Sequence, residues 1–122
     1  MSKATLERKT STRKSRRSTK NSRRPGKDAV TLVVRLNARE GQEMLLEAEL
    51  RALVGPTRKE NGCVTYDLYR SAEAPGAFLL HEVWACREDH SRHTNTPHFL
   101  RWNARKDSLL VSRDAAFWKQ II

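Results

Sequence analysis

From residue 30 onward the chain switches between two hydrophobic periods. Val30 to Leu36 is rich in β-branched residues, with Leu32, Val34 and Leu36 on one side, and predicts a first strand. After Arg39-Glu40-Gly41 the spacing becomes helical. Met44, Leu45, Ala48, Ala52 and Leu53 form an apolar stripe, while Glu43, Glu47 and Arg51 face water, which predicts a helix of about four turns that Pro56 bends or ends. Asn61-Gly62 signals a turn, and Cys63 to Arg70 then alternates, placing Val64, Tyr66 and Leu68 on one face of a second strand. Ala74-Pro75-Gly76 leads into Ala77 to Ala85, a third strand expected to pair with the second as a hairpin. Arg87-Glu88-Asp89 opens a helix, its acids suited to the positive N-terminal end. Thr96-Pro97 interrupts it, and because Pro is tolerated in a first turn a second helical piece runs from His98 to about Leu109. Ala115 to Ile122 alternates again and predicts a last strand.

The order β-α-β-β-α-β predicts an α+β, ferredoxin-like antiparallel sheet with helices on one face. The other face then needs a cover. Roughly 95 residues bury only about two-thirds of their unfolded surface, and both faces of these strands carry apolar residues, so a homodimer packing sheet on sheet is expected.

Charge changes the picture only at the N-terminus. The 24 Lys and Arg exceed the 14 Asp and Glu by a formal +10. Residues 1–27 hold eleven of the basic residues and a single acid, Glu7, whereas residues 28–122 hold thirteen of each sign. Two regions follow: a basic tail over 1–27, expected to be disordered because Met1, Ala4 and Leu6 are its only apolar residues, and one neutral domain over 28–122. The tail reads either as a solvated extension or as a weak, salt-sensitive arm for nucleic acid or another polyanion, and it has no aromatic residues to stack on bases. No apolar stretch follows its arginine pairs, which argues against an export signal, although its Arg- and Ser-rich composition is compatible with an organellar transit peptide.

Two cysteines, Cys63 and Cys86, are too few for a disulfide framework and too far apart for a redox or zinc pair, and no apolar run reaches the roughly 18–20 residues that cross a bilayer. A cytoplasmic protein without a membrane span is expected.

The residues that carry chemistry are aromatic, acidic and imidazole side chains late in the domain. Glu82 and Trp84 lie two apart on a strand and share a face; His93 and His98 flank the helix break; Tyr66 and Asn37 sit on the second and first strands. Asn61-Gly62-Cys63 with Tyr66 three on, the words His81-Glu82-Val83-Trp84, then His93, then Thr96-Pro97-His98-Phe99, together resemble the antibiotic biosynthesis monooxygenase family over residues 29–122. The resemblance implies a dimeric α/β barrel built from ferredoxin-like protomers. It also implies oxidation of a quinol, an anthrone or a similar aromatic or enolisable molecule by O2 without metal, flavin or haem. Such an enzyme must form an electron-rich anion from its substrate, and a histidine suits that step because imidazole ordinarily titrates close to working pH.

His93 is the first candidate base, standing where the family's histidine falls, and His98 the second. Glu82 would orient a histidine or hold a hydroxyl, Trp84 would stack on a planar substrate, and Asn37 and Tyr66 would bind the developing oxyanion. His81 and His90 read as sheet and surface residues. No metal site is expected: His90-x-x-His93 puts two imidazoles on one helical face, but no acid or cysteine completes the set. Haem degradation, known on this fold, would place a Trp near His93 and a His near Asn103, and the chain departs at both. Two other classes stay open, a catalytically silent dimeric ligand-binding module with a polyanion-binding tail, and an isomerase using the same base without O2.

Overall fold

The structure is a computed structural model that describes residues 26–122; the greater part of the basic tail, residues 1–25, lies outside the described residues. Seven elements follow in order: β1 (Val30–Ala38), α1 (Glu43–Arg58), β2 (Cys63–Arg70), β3 (Ala77–Trp84), α2 (Arg87–His93), α3 (Pro97–Leu109) and β4 (Leu110–Trp118). The four strands make one antiparallel sheet in the order β2-β3-β1-β4, the ferredoxin-like arrangement. β1 is central because its period-2 pattern is the most apolar, with Leu32, Val34 and Leu36 all buried toward the helices. No helix among the described residues is long and apolar enough to cross a membrane.

Three expectations need correction. The stripe of α1 has the right period and the wrong phase. Leu46, Leu50, Leu53 and Thr57 are buried, whereas Met44 is 87% and Leu45 52% exposed. Met44, Leu45 and Leu46 are all apolar, so two phases were open. The phase observed buries Leu46 and Leu50, each worth about 1.5–3 kcal/mol. It also lets Glu47 pair with Arg51 one turn on and with Arg70 on β2, and Glu49 with Arg105 on α3.

Pro56 does not end α1, which runs to Arg58 with the proline inside its last turn. The third correction is β4, which starts at Leu110, directly after α3, and stops at Trp118; Ile121 and Ile122 are exposed. Its first half, Val111-Ser112-Arg113-Asp114, is too polar to read as a strand. As an edge strand it tolerates charge, and Asp114 lies opposite Arg35 of β1.

The interrupted helix is as expected. Thr96 caps α3, its hydroxyl oxygen accepting the Phe99 amide at 3.3 Å, with Pro97 in the first turn where no amide donor is needed. The break turns the chain so that His93, at the end of α2, and His98, at the start of α3, approach the same point.

Candidate functional site

That point is Glu60, in the turn between α1 and β2. Its Oε2 accepts from His93 Nδ1 at 2.8 Å and from His98 Nε2 at 2.6 Å; the His98 nitrogen also lies 3.2 Å from the Thr96 hydroxyl. The three side chains are 13%, 2% and 14% exposed respectively. A carboxylate oxygen only accepts, so the ring nitrogens facing it carry the protons. In its neutral form the His93 ring is thereby the tautomer with Nδ1 protonated, whose Nε2 offers a lone pair.

His93 lines a cavity of about 140 Å³ between the sheet and the helices, together with Tyr66, Glu82, His90, Phe99 and Phe117. The walls are otherwise largely apolar, with Leu32, Val34 and Leu80 forming the sheet side. The His93 ring is held from three directions: Trp84 at 4.8 Å, Phe99 at 5.0 Å and Tyr66 at 5.7 Å between centroids.

Glu82 is buried, and its Oε1 accepts the Trp84 indole N–H at 3.0 Å. Burial pushes its carboxyl above the usual range, although the Trp84 hydrogen bond and the nearby His93 and Arg113 act the other way. Burial likewise raises the Tyr66 phenol well above its ordinary value, reinforced by the charge of Glu82, so Tyr66 stays a hydrogen-bond donor. His90 is pushed down, first by burial and then by the neighbouring His93.

Of the six residues singled out from the sequence, the fold brings five together. Tyr66, Glu82 and His93 meet at the cavity. His98 lies on the far side of Glu60 and reaches the cavity only through it. Trp84 is fully buried and is not on the cavity wall; its ring packs behind His93 and its N–H holds Glu82. Asn37 is not brought to the site. Register places it opposite Ser112, on the sheet face away from the helices, where its amide donates to the Ser112 hydroxyl at 2.9 Å. Strand alternation is the reason, since Leu36, one residue before, points into the core.

Two residues were missed. Glu60 is separated from His93 by 33 positions and carries no motif beyond standing beside the Asn61-Gly62 turn. His90, read as a surface residue, lines the cavity and stacks edge-on against Phe117 at 5.4 Å and Trp84 at 5.9 Å. The helical spacing His90-x-x-His93 put both rings on one face, which was a signal for it.

A larger open groove of about 520 Å³ lies between α1 and β2 and is ringed by Arg51, Arg58 and Arg70. Each of these is already paired, Arg51 and Arg70 with Glu47 and Arg58 with Asp67, and the one carboxylate that lines the groove, Glu47, is taken up by two of the arginines. The smaller cavity is the one that His93, Glu82 and Tyr66 line.

Comparison with known proteins bears on the family and the fold. The model of the family described as "Antibiotic biosynthesis monooxygenase" matches residues 29–105. The chain is 37% identical over 82 residues to "Putative monooxygenase Rv0793" of Mycobacterium tuberculosis, covering 67% of this chain and 80% of that one. The solved structure of that protein superposes with a TM-score of 0.73 at 32% identity, over 77% of this chain and 96% of the other. PA3566 from Pseudomonas aeruginosa gives a TM-score of 0.75 at 35% identity, over 78% and 96%.

Proposed function

The chain belongs to the antibiotic biosynthesis monooxygenase family, and from that premise we propose that the cavity beside His93 oxidises a small quinol or similar enolisable ring with O2, using no metal, flavin or haem. The observation that carries this reading is the Glu60–His93 hydrogen bond, which leaves one imidazole lone pair at a largely apolar cavity.

His93 Nε2 takes the proton of a phenol or enol, and Glu60 stabilises the imidazolium that forms, as a carboxylate does for a catalytic histidine elsewhere. Tyr66 donates a hydrogen bond to the resulting oxyanion, and Glu82, with one oxygen taken by Trp84, holds a second hydroxyl. The anion's carbon forms a bond to O2, and protonation gives a hydroperoxide. The O–O bond breaks as the same carbon loses its remaining C–H proton. In balance, a CH2 group, reacting as its enol, and O2 become C=O and water. His98 acts through Glu60 and is a positioning residue.

Size narrows the substrate. A cavity of about 140 Å³ is small beside the ~300–1,000 Å³ of pockets that enclose drug-sized ligands, which favours a single-ring quinol over a three-ring anthrone. The open sheet face carries Val33, Tyr69, Leu79 and Trp118, with Tyr69 54% and Trp118 59% exposed, and supports a homodimer through that face.

The test is oxygen uptake with a panel of quinols and anthrones, comparing wild type with His93→Ala and Glu60→Gln. Losses of about 10²–10⁴-fold in kcat with KM little changed are expected from either substitution. No turnover of any substrate favours the silent module, and turnover that neither change affects refutes His93 as the base. Turnover that persists without O2 identifies an isomerase.

A further inference from the structure

The sequence argued against metal because no acid completed the His90-x-x-His93 pair. The fold supplies that acid from a distant turn and exchanges the second imidazole. Glu60 Oε2, His93 Nδ1 and His98 Nε2 all lie within 4.8 Å of one another, with the carboxylate oxygen 2.8 and 2.6 Å from the two nitrogens. The donors come from three different elements, the α1–β2 turn, the end of α2 and the first turn of α3, and all three side chains are largely sheltered from water. Two imidazoles and one carboxylate form a donor set that suits Zn²⁺ and its borderline first-row neighbours, with a fourth position left for water.

We propose that Glu60, His93 and His98 form a binding site for a divalent cation of the Zn²⁺ class, and that filling it switches off the base at His93. The second half of this statement rests on the role proposed for His93 above; the first half does not.

Distances are compatible with the first half. Tetrahedral bonds of about 2.0–2.1 Å separate donor atoms by roughly 3.3 Å, so the two oxygen–nitrogen spacings of 2.8 and 2.6 Å must open by about 0.5–0.7 Å and the two nitrogens, within 4.8 Å of one another, must come to the same separation. Glu60 stands in the turn between α1 and β2, outside the helices that carry the two imidazoles.

The switch follows from tautomerism. A ring nitrogen that binds metal must present its lone pair, yet Nδ1 of His93 carries a proton in the Glu60 hydrogen bond. On metal binding that proton moves to Nε2, the atom assigned as base, which shares its cavity with Glu82, and the proton that His98 Nε2 directs at Glu60 moves likewise to the other nitrogen of that ring. A metal-loaded His93 therefore has no free lone pair with which to take a proton from a substrate.

The experiment titrates chelator-treated, untagged full-length protein with Co²⁺, whose visible absorption reports four- or five-fold coordination by nitrogen and oxygen, and then displaces it with Zn²⁺. One equivalent is expected to bind, weakened at least about 100-fold by Glu60→Gln and by His98→Ala and unchanged by His90→Gln. No Co²⁺ spectrum in wild type overturns the site, as does binding that Glu60→Gln and His98→Ala leave intact. Equal circular dichroism of the variants shows that lost binding is not lost folding. Stoichiometric Zn²⁺ is expected to abolish O2 uptake, and metal-loaded protein that still turns over refutes the switch. Metal binding in a chain that oxidises no quinol leaves the site standing and removes the oxygenase reading instead.

Discussion

Gly62 ties the fold to the site, and replacing it tests the link. It sits in the turn after Glu60 at φ +83°, and its carbonyl accepts the Ala85 amide at 2.8 Å, joining the start of β2 to the end of β3. An L residue held at that φ costs about 1–2 kcal/mol. A Cβ added there would also stand 2.6 Å from Asp89 Cβ and closer still to the Asp89 carboxylate. Asp89 has little freedom to retreat, being buried in the first turn of α2, paired with Arg92 and accepting from the Cys86 thiol at 3.3 Å. Overpacking of this kind costs about 1–3 kcal/mol.

Gly62→Ala is therefore expected to lose about 2–5 kcal/mol in all. In a domain of this size that lowers Tm by something on the order of 10–30 °C, read by circular dichroism and calorimetry. The two contributions separate in a double-mutant cycle. Asp89→Gly removes the steric part, the Asp89 Cβ included, and leaves the backbone part, so Gly62→Ala/Asp89→Gly should be less destabilised than the sum of the single changes by about 1–3 kcal/mol. A Gly62→Ala protein within about 0.5 kcal/mol of wild type, or a strictly additive cycle, refutes the reasoning.

Three further outcomes follow from the same structure. Because burial raises the Glu82 carboxyl, folding favours its protonated form; there is no penalty below the ordinary carboxylate range, and stability is lost as pH rises through the raised value. Glu82→Gln should match wild type near about pH 4 and exceed it near about pH 8 in urea midpoint, and the reverse order would contradict desolvation as the cause. Burial pushes the Cys63 thiol up to about 12, so iodoacetamide should label Cys86 first and Cys63 only on unfolding; equal native rates would count against the burial seen here. Residues 1–27, with eleven basic residues and one acid, should give the full chain a polyanion affinity that falls steeply with salt and that residues 28–122 alone lack. Equal, negligible binding by both ends the idea of an arm.

Most of the fold was legible because its elements are written in local periodicity. β1, β2 and β3 alternate every two residues, and the helix break at Thr96-Pro97 is a consequence of proline chemistry at one peptide bond. The phase of α1 and the start of β4 were not legible, for a common reason. Three successive apolar residues at Met44, Leu45 and Leu46 permit two helical faces, and Val111 to Asp114 has no apolar alternation at all. In both places the outcome depends on what the segment packs or pairs against.

The candidate site divides along the same line. Glu82 and Trp84 could be grouped from the chain because residues two apart on a strand share a face, while His93 and Tyr66 stood out only through the family resemblance. Their division of labour could not be read from the chain. Only the packed structure sets Trp84 behind His93 instead of on the cavity wall, turns Asn37 to the opposite face, and carries Glu60 across 33 positions to hold two histidines with one oxygen. A hydrogen bond acts over about 3 Å, and sequence separation says nothing about which distant groups come that close. The sequence determined the elements and the kinds of side chain at hand, and tertiary packing decided which of them touch.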